Sequence, residues 1–338
     1  MGRTAVILVI GLGIAFGFIS NSIRSSVDLL TGSATAYNKY SFARNLARTA
    51  IHANLRAYDV PLDPIPTTGA FNGGTWTVRD STNADTLWIR STGYYADSAY
   101  TMRVRLLRLT KPFPVPDAAI GIRATPVTFT MNGKASVDGH NHDLNGNPTG
   151  TGDLPGVATM NHTDSGKVAA EGGTNIGGTP PVTVDTSTVD PNPFLPEYLS
   201  NADYIYNSSG TYAGQSWGSA SSPVVIYCNA GADTSFAIKF TGGVTGYGIL
   251  VVQGNVQFNG GINFVGLVVV SGFNTIVDFG AAGTPQILGG LIVAGNAGAS
   301  VTLKGTGNAG KVAYSSAAIA QAMNIGKLRY YKILSWYE

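Results

Sequence analysis

From Thr4 to Ile19 the chain reads TAVILVIGLGIAFGFI, sixteen residues without a charge. At a helical rise this run is about 24 Å long, just under the thickness of a bilayer's hydrocarbon core. Beyond it the apolar positions space out. Ile23, Val27, Leu30, Ala34, Tyr37 and Ser41 advance by three or four, and Leu46, Ala50, Leu55 and Tyr58 resume the stripe. The opposite face carries Arg24, Lys39, Arg44, Arg48 and Arg56. This spacing predicts one long helix over residues 1–58, apolar all round at its start and amphipathic afterwards. Pro61, Pro64 and Pro66 stop it, and Gly32 is the point where it is weakest.

Two other readings of the start fare worse. A signal peptide needs a small-x-small cleavage site, which SNSIRSSVDLLTGS does not supply. A dinucleotide-binding turn at Gly11 and Gly13 needs a second apolar strand soon after, where the chain offers only LLTGSATAYNKYSFARNLA. In the helical reading Gly13 and Gly17 lie four apart, a spacing that lets two such helices approach closely.

After the helix the pattern turns to strands. Residues 67–117 hold TWTVRD, DTLWIRS and YTMRVRLLRL separated by turn residues, which predicts a small antiparallel sheet packed on the helix exit and followed by the stiff connector KPFPVP. Residues 118–338 form the third part. It opens with long polar loops up to about Ser222, and from Val224 to Ser315 the chain repeats. Segments beginning at Gly248, Gly266, Gly290 and Gly310 (GILVVQG, GLVVVSG, GLIVAG and GKVAY) start 18, 24 and 20 residues apart. Lesser strands (VQFNG, TIVDFG and SVTLKG) lie between them, and Val127–Met131 and Val224–Tyr227 supply further coils. A period near 20 with apolar strands and glycine corners predicts a glycine-rich right-handed parallel β-helix, or solenoid. SSAAIAQAMN reads as a short helix, and KLRYYKILSWYE as a strand capping the solenoid end. The expected fold class is α+β.

Composition narrows the function. Charged residues are only 12%, about half the usual share, while glycine reaches 44 of 338. That suits a sheet-built extracellular protein. A net charge of +2 without a dense basic cluster excludes a nucleic-acid partner. Cys228 is the only cysteine, so no internal disulfide forms. Sequons stand at Asn161 and Asn207.

Several motifs suggest chemistry. Asp143, Asn145 and Asn147 have the one-three-five spacing of oxygen ligands in a calcium loop, but the twelfth position is Leu154, so an EF-hand is excluded. Turns satisfied by Asx side chains compete with a structural Ca²⁺ site here, and no other cofactor is indicated. His140 and His142 with Asp138 offer a transition-metal set, against solvent-facing histidines. GTGNAGK (305–311) has phosphate-loop spacing but Val312 where Ser or Thr belongs, and GQSWG (214–218) has nucleophile-elbow spacing without the strand and helix that frame one. A polysaccharide-cleaving solenoid would need clustered carboxylates, yet Asp278 is the only acid between Gly246 and Ser316. The chain reads as a non-enzyme.

FARNLARTAIHANLRA, the DGHNHDLNGNPTGTG loop, the GxLVVxG coils and the ILSWYE ending, together with the apolar helix, resemble bacterial pilin-like proteins of the minor-pilin, pilus-assembly type. The resemblance implies insertion in the inner membrane before assembly, the pilus assembly machinery as a partner, and packing of N-terminal helices into the core of a cell-surface filament. Type IV pilins carry Glu at the fifth mature position. Here it is Ala5 if Met1 is the start and Ile7 if cleavage follows Gly2. The expected role is a structural subunit of a homopolymeric extracellular filament, with Ala5, Leu8, Leu12, Gly13, Phe16, Gly17, Ile23, Val27 and Leu30 as the helix-packing positions. The alternative is a membrane-anchored surface protein whose solenoid binds glycan or another ligand.

Overall fold

The computed structural model describes residues 2–59, 65–83, 85–187, 189–229, 238–280, 286–305 and 311–338. The chain divides into two compact units, one of residues 1–109 and 330–338, the other of residues 110–329. The large second unit is thus an insertion in the first.

In the first unit helix α1 (Gly2–Asp59) runs unbroken through Gly32. A single glycine costs a helix only about 1 kcal/mol, less than the cooperativity of so many turns. Pro61 and Pro64 lie outside the described residues. Strands β1 (Thr68–Phe71), β2 (Gly74–Asn83), β3 (Thr86–Tyr95) and β4 (Ser98–Thr110) pair antiparallel in sequence order. The C-terminal strand, Arg329–Tyr337, joins this sheet beside β4. It was expected to cap the solenoid, but its partly buried Tyr331 and Trp336 pack on the helix–sheet core.

That core is built from the C-terminal half of α1. Ala47, Ala50 and Ile51 meet Val78, Leu87, Ile89, Met102, Val104 and Leu106, all buried. The alanines let the helix sit so close that a Cβ on Gly93 would fall 2.2 Å from the Ala43 carbonyl oxygen. At the margin Tyr58 donates to Asp80 (2.6 Å), buried Asn54 donates to the carbonyls of Ala50 and Pro66, and Arg44 pairs with Glu338.

The second unit contains β5 (Ile120–Arg123), β6 (Val127–Gly133), β7 (Ser136–Asp138), β8 (Val157–Thr159), α2 (His162–Gly172), β9 (Ile176–Gly177), β10 (Val182–Val184) and α3 (Leu195–Ser200). It continues through β11 (Tyr204–Tyr206), β12 (Gly210–Ala213), β13 (Ser216–Trp217), β14 (Val224–Asn229), β15 (Ile238–Thr241), β16 (Val244–Gln253) and β17 (Val256–Phe258). Last come β18 (Ile262–Phe279), β19 (Gln286–Gly305), β20 (Lys311–Tyr314) and α4 (Ser316–Met323). All named pairings within this unit are parallel, and they fall into three ladders. The first runs β10-β8-β5-β19-β18-β16-β14-β11. In it Ile226, Leu250, Val268, Leu291, Ile120, Val157 and Val182 stand in one register column. Both faces of its central strands are buried, which is why they read as continuous apolar runs. The second ladder stacks Tyr212, Phe240, Phe258 and Phe279, with ring centroids 6.2, 5.8 and 5.0 Å apart. The third carries Trp217, Gly246, Phe264, Ile287, Val312, Val137 and Ile176 in register.

The order of strands is not the order of the chain. The chain starts in the middle of the first ladder at β5, builds outward through β8 and β10, and crosses through residues 185–203 to the opposite end. It then returns through β11, β14, β16 and β18 until β19 pairs with β5. The ends of the unit therefore meet, and the Lys111 amide donates to the Leu328 carbonyl (2.8 Å). Adjacent ends are what allow a domain to be inserted between two neighbouring strands.

One corner of the stack admits only glycine. Gly248, Gly266 and Gly289 lie in one register column with φ of 126°, 135° and 142°, and a Cβ on Gly266 would fall 1.9 Å from the Gly248 carbonyl oxygen. The sequence alignment had placed Gly290 in this column. Gly289 takes it, and Gly290 pairs with Leu267 one position on. Lys311–Tyr314 likewise pairs with Gln286–Gly289 rather than with the segment from Gly290. Gly266→Ala is expected to destabilise the second unit by about 2–5 kcal/mol in chemical denaturation. Gly166→Ala, in α2 with open space around it, is expected to stabilise by about 0.5–1 kcal/mol.

Helix α2 is pinned at its start. Asn161 caps it by accepting from the Asp164 amide (2.8 Å), and buried Asp164 accepts from Thr125, Asn161 and Lys167 at 3.0, 2.9 and 2.9 Å. Burial pushes this carboxyl upward, but hydrogen bonds from Lys167, Asn161, the Val127 amide and Thr125 outweigh it and hold the pKa at about 2. An unfolded Asp titrates near pH 4, so the stabilisation is complete above about pH 4 and is lost as pH falls from there through about 2. Acid unfolding of wild type and Asp164→Asn, followed by circular dichroism, is expected to show that the variant lacks this component of the pH dependence.

Candidate functional site

The positions expected to pack in an assembly lie along the N-terminal half of α1. Leu8, Leu12, Phe16, Ile23, Val27 and Leu30 are 49–70% exposed, and the space around Gly13 and Gly17 is open. Ala5 lies in the helix, its side chain outside the described residues. The helix is long and apolar enough to cross a membrane, as an anchor or a signal sequence would be. Asn21, Arg24, Ser25 and Asp28, with Leu29, line a shallow depression on it.

The loop after β7 is where the second unit concentrates polar groups. Asp143, Asn145 and Asn147 are brought together, as a turn. Asp143 Oδ1 accepts from the amides of Asn145 and Asn147 (both 2.9 Å), and its Oδ2 accepts from the Asn147 side chain (3.2 Å). The Asn147 and Asn145 bonds hold this carboxyl below the usual range. Asn141 ties the loop down, accepting from the Ser316 amide and donating to the Thr151 carbonyl.

The two histidines have opposite fates. His140 is half-exposed, and both its amide (3.0 Å) and its ring Nδ1 (2.7 Å) approach Asp138 Oδ1. His142 was expected to face solvent. It is buried, its Nδ1 is 3.1 Å from the Tyr314 carbonyl, and its Nε2 is 3.4 Å from Asp138 Oδ2. The loop folds back onto β20, and the His142 amide also donates to Tyr314. Among the described residues no group of three His, Cys, Asp or Glu side chains is arranged to hold a metal.

Asp138 and His140 open onto a depression of about 510 Å³, lined also by Lys134, Ser136, Thr174, Asn175, Gln286 and Lys311. Gln286, Lys311 and Ser136 occupy one register position on adjacent parallel strands. They belong to a polar column that continues through Asn263 and Thr245 to Ser216. Gly177 opposite Asp138 leaves room for the His140 ring, whose Nδ1 would be 3.4 Å from a Cβ there. Sequence reading paired Asp138 and His140 but missed the other members, which come from segments up to 177 residues apart.

The remaining motifs resolve structurally. Residues 306–310 of GTGNAGK lie outside the described residues, between the end of β19 and the start of β20. Ser216 of GQSWG is exposed in β13 and its hydroxyl lies 3.3 Å from that of Thr245, while Trp217 is buried and donates to Tyr206. Cys228 is buried in β14, and burial pushes its thiol pKa far up, so it is a small hydrophobe. Of the sequons, the Asn161 amide nitrogen is engaged by Thr125 and Asp164, whereas Asn207 is exposed.

Searched against protein-family models, curated proteins and solved structures, the chain matches none.

Because amides and Asn147 already occupy the Asp143 oxygens, chelator and added Ca²⁺ are both expected to leave the thermal melt of the chain superimposable on the untreated one. A melting temperature that rises with Ca²⁺ and falls with chelator would contradict this.

Proposed function

We propose that this chain is a pilin-like structural subunit of an extracellular bacterial filament. Its N-terminal helices would bundle in the core, with the inserted unit outside as a right-handed, circularly permuted parallel β-solenoid. The supporting observation is the bare half of α1. Its large apolar side chains from Val6 to Leu30 are exposed, and each gains about 1.5–3 kcal/mol on full burial, so the surface left open represents tens of kcal/mol. A membrane alone covers only part of it. About 30 Å of hydrocarbon accommodates about 20 helical residues, so a segment starting at Val6 emerges near Ser25, with Val27, Leu29, Leu30 and Tyr37 still uncovered. Neighbouring helices of other copies supply what the bilayer does not. In this reading the inner membrane holds the helix before assembly, the pilus assembly machinery extracts it, and the finished filament stands at the cell surface.

A second reading, favoured by the membrane-length apolar run itself, is a monomer anchored by α1 whose inserted unit binds glycan or another surface ligand. Substituting Gly13 and Gly17 with Leu separates the two. A filament subunit is expected to lose sedimentable polymer, whereas a lone anchor would remain in the membrane fraction unchanged.

A further inference from the structure

The depression beside β7 has a charge pattern that its own fold does not use. Among the described residues the lysine ion pairs involve Lys39, Lys111, Lys167, Lys304 and Lys327. Lys134 and Lys311 take no part in them, yet both line the same open space. Lys134 comes from the turn after β6 and Lys311 from the start of β20, so the ladder pairing, not local sequence, brings them together. The acid at the site is already committed, since Asp138 Oδ1 takes the amide and ring of His140 and its Oδ2 faces His142. The rest of the lining is Ser136, Thr174, Asn175 and Gln286, which offer hydroxyls and amides, with Val137 and Gly177. A volume of about 510 Å³ lies within the range of roughly 300–1,000 Å³ typical of small-ligand sites.

We propose that this depression binds an oxyanion carried on a hydroxylated scaffold, as in an acidic sugar unit. The ammonium groups of Lys134 and Lys311 hold the anion as charge-assisted donors. With Nδ1–H donated to Asp138, His140 presents Nε2 to the ligand, and Ser136 and Gln286, which flank Lys311 on the neighbouring strands about 4.8 Å to either side, read hydroxyls together with Asn175. The site stands independently of filament assembly, since all of its residues lie in the inserted unit.

The test is calorimetric titration of the detergent-solubilised full chain with three probes: digalacturonate, neutral digalactose and inorganic phosphate. The expected result is saturable digalacturonate binding that exceeds digalactose binding by about tenfold or more and is lost by at least that factor in Lys134→Glu/Lys311→Glu, with an unchanged far-UV spectrum. Phosphate binding as tight as digalacturonate would support the oxyanion site and assign its ligand to a free anion, while tighter digalacturonate would assign it to a saccharide. Equal affinity for the acidic and neutral sugars, no saturable binding of any probe, or binding that survives the double charge reversal would overturn the proposal.

Discussion

A helix of 58 residues that buries one half against its own sheet and leaves the other half bare sets the terms for the rest of this molecule. The buried half is made close-fitting by alanine and by Gly93, where the sheet and helix backbones nearly touch. That contact fixes the helix to the small sheet without large side chains. Among the described residues the bare half has no such partner, and burying its apolar surface would be favourable. A bilayer or the helices of other copies would supply that cover, so one element both holds the first unit together and presents its largest apolar surface.

The inserted unit solves a different problem. It must leave and rejoin the small sheet between two adjacent strands, so its own ends must coincide. A stack of coils wound simply from one end to the other would place its ends far apart. Starting in the middle, winding outward, crossing over and winding back brings Lys111 and Leu328 within hydrogen-bond distance while keeping the pairings between its named strands parallel. The expense falls on the corners, where Gly248, Gly266 and Gly289 follow one another in a conformation that a side chain would obstruct. The outer face of one ladder then carries a polar column at strand spacing, from which the lysine-lined depression arises.

Much of this was legible in the residues. The helix, its amphipathic continuation and the antiparallel strands follow from periodicities of 3.6 and 2, because each element buries one face. The parallel strands were visible because strands buried on both faces read as unbroken Val, Ile and Leu. The misplacements share one cause: register between distant segments depends on backbone conformation and crossing order, which local pattern does not carry. Of two adjacent glycines that local pattern treats alike, the register places Gly289 at the corner. The terminal strand, apolar enough to suit a solenoid cap, joins the small sheet because Tyr331 and Trp336 find the helix there. His142 is buried because its loop folds back to the Tyr314 carbonyl, 172 residues on. The gathering of Lys134 and Lys311 was illegible for the same reason.

The central claim is that copies of this chain cover one another's exposed helices. Negative-stain electron microscopy of material sheared from cells, with N-terminal sequencing of the same band, tests it most directly. The account predicts regular fibres that contain this chain with its apolar N-terminal segment retained. Membrane-bound monomers alone, with no fibres under any growth condition, would contradict it.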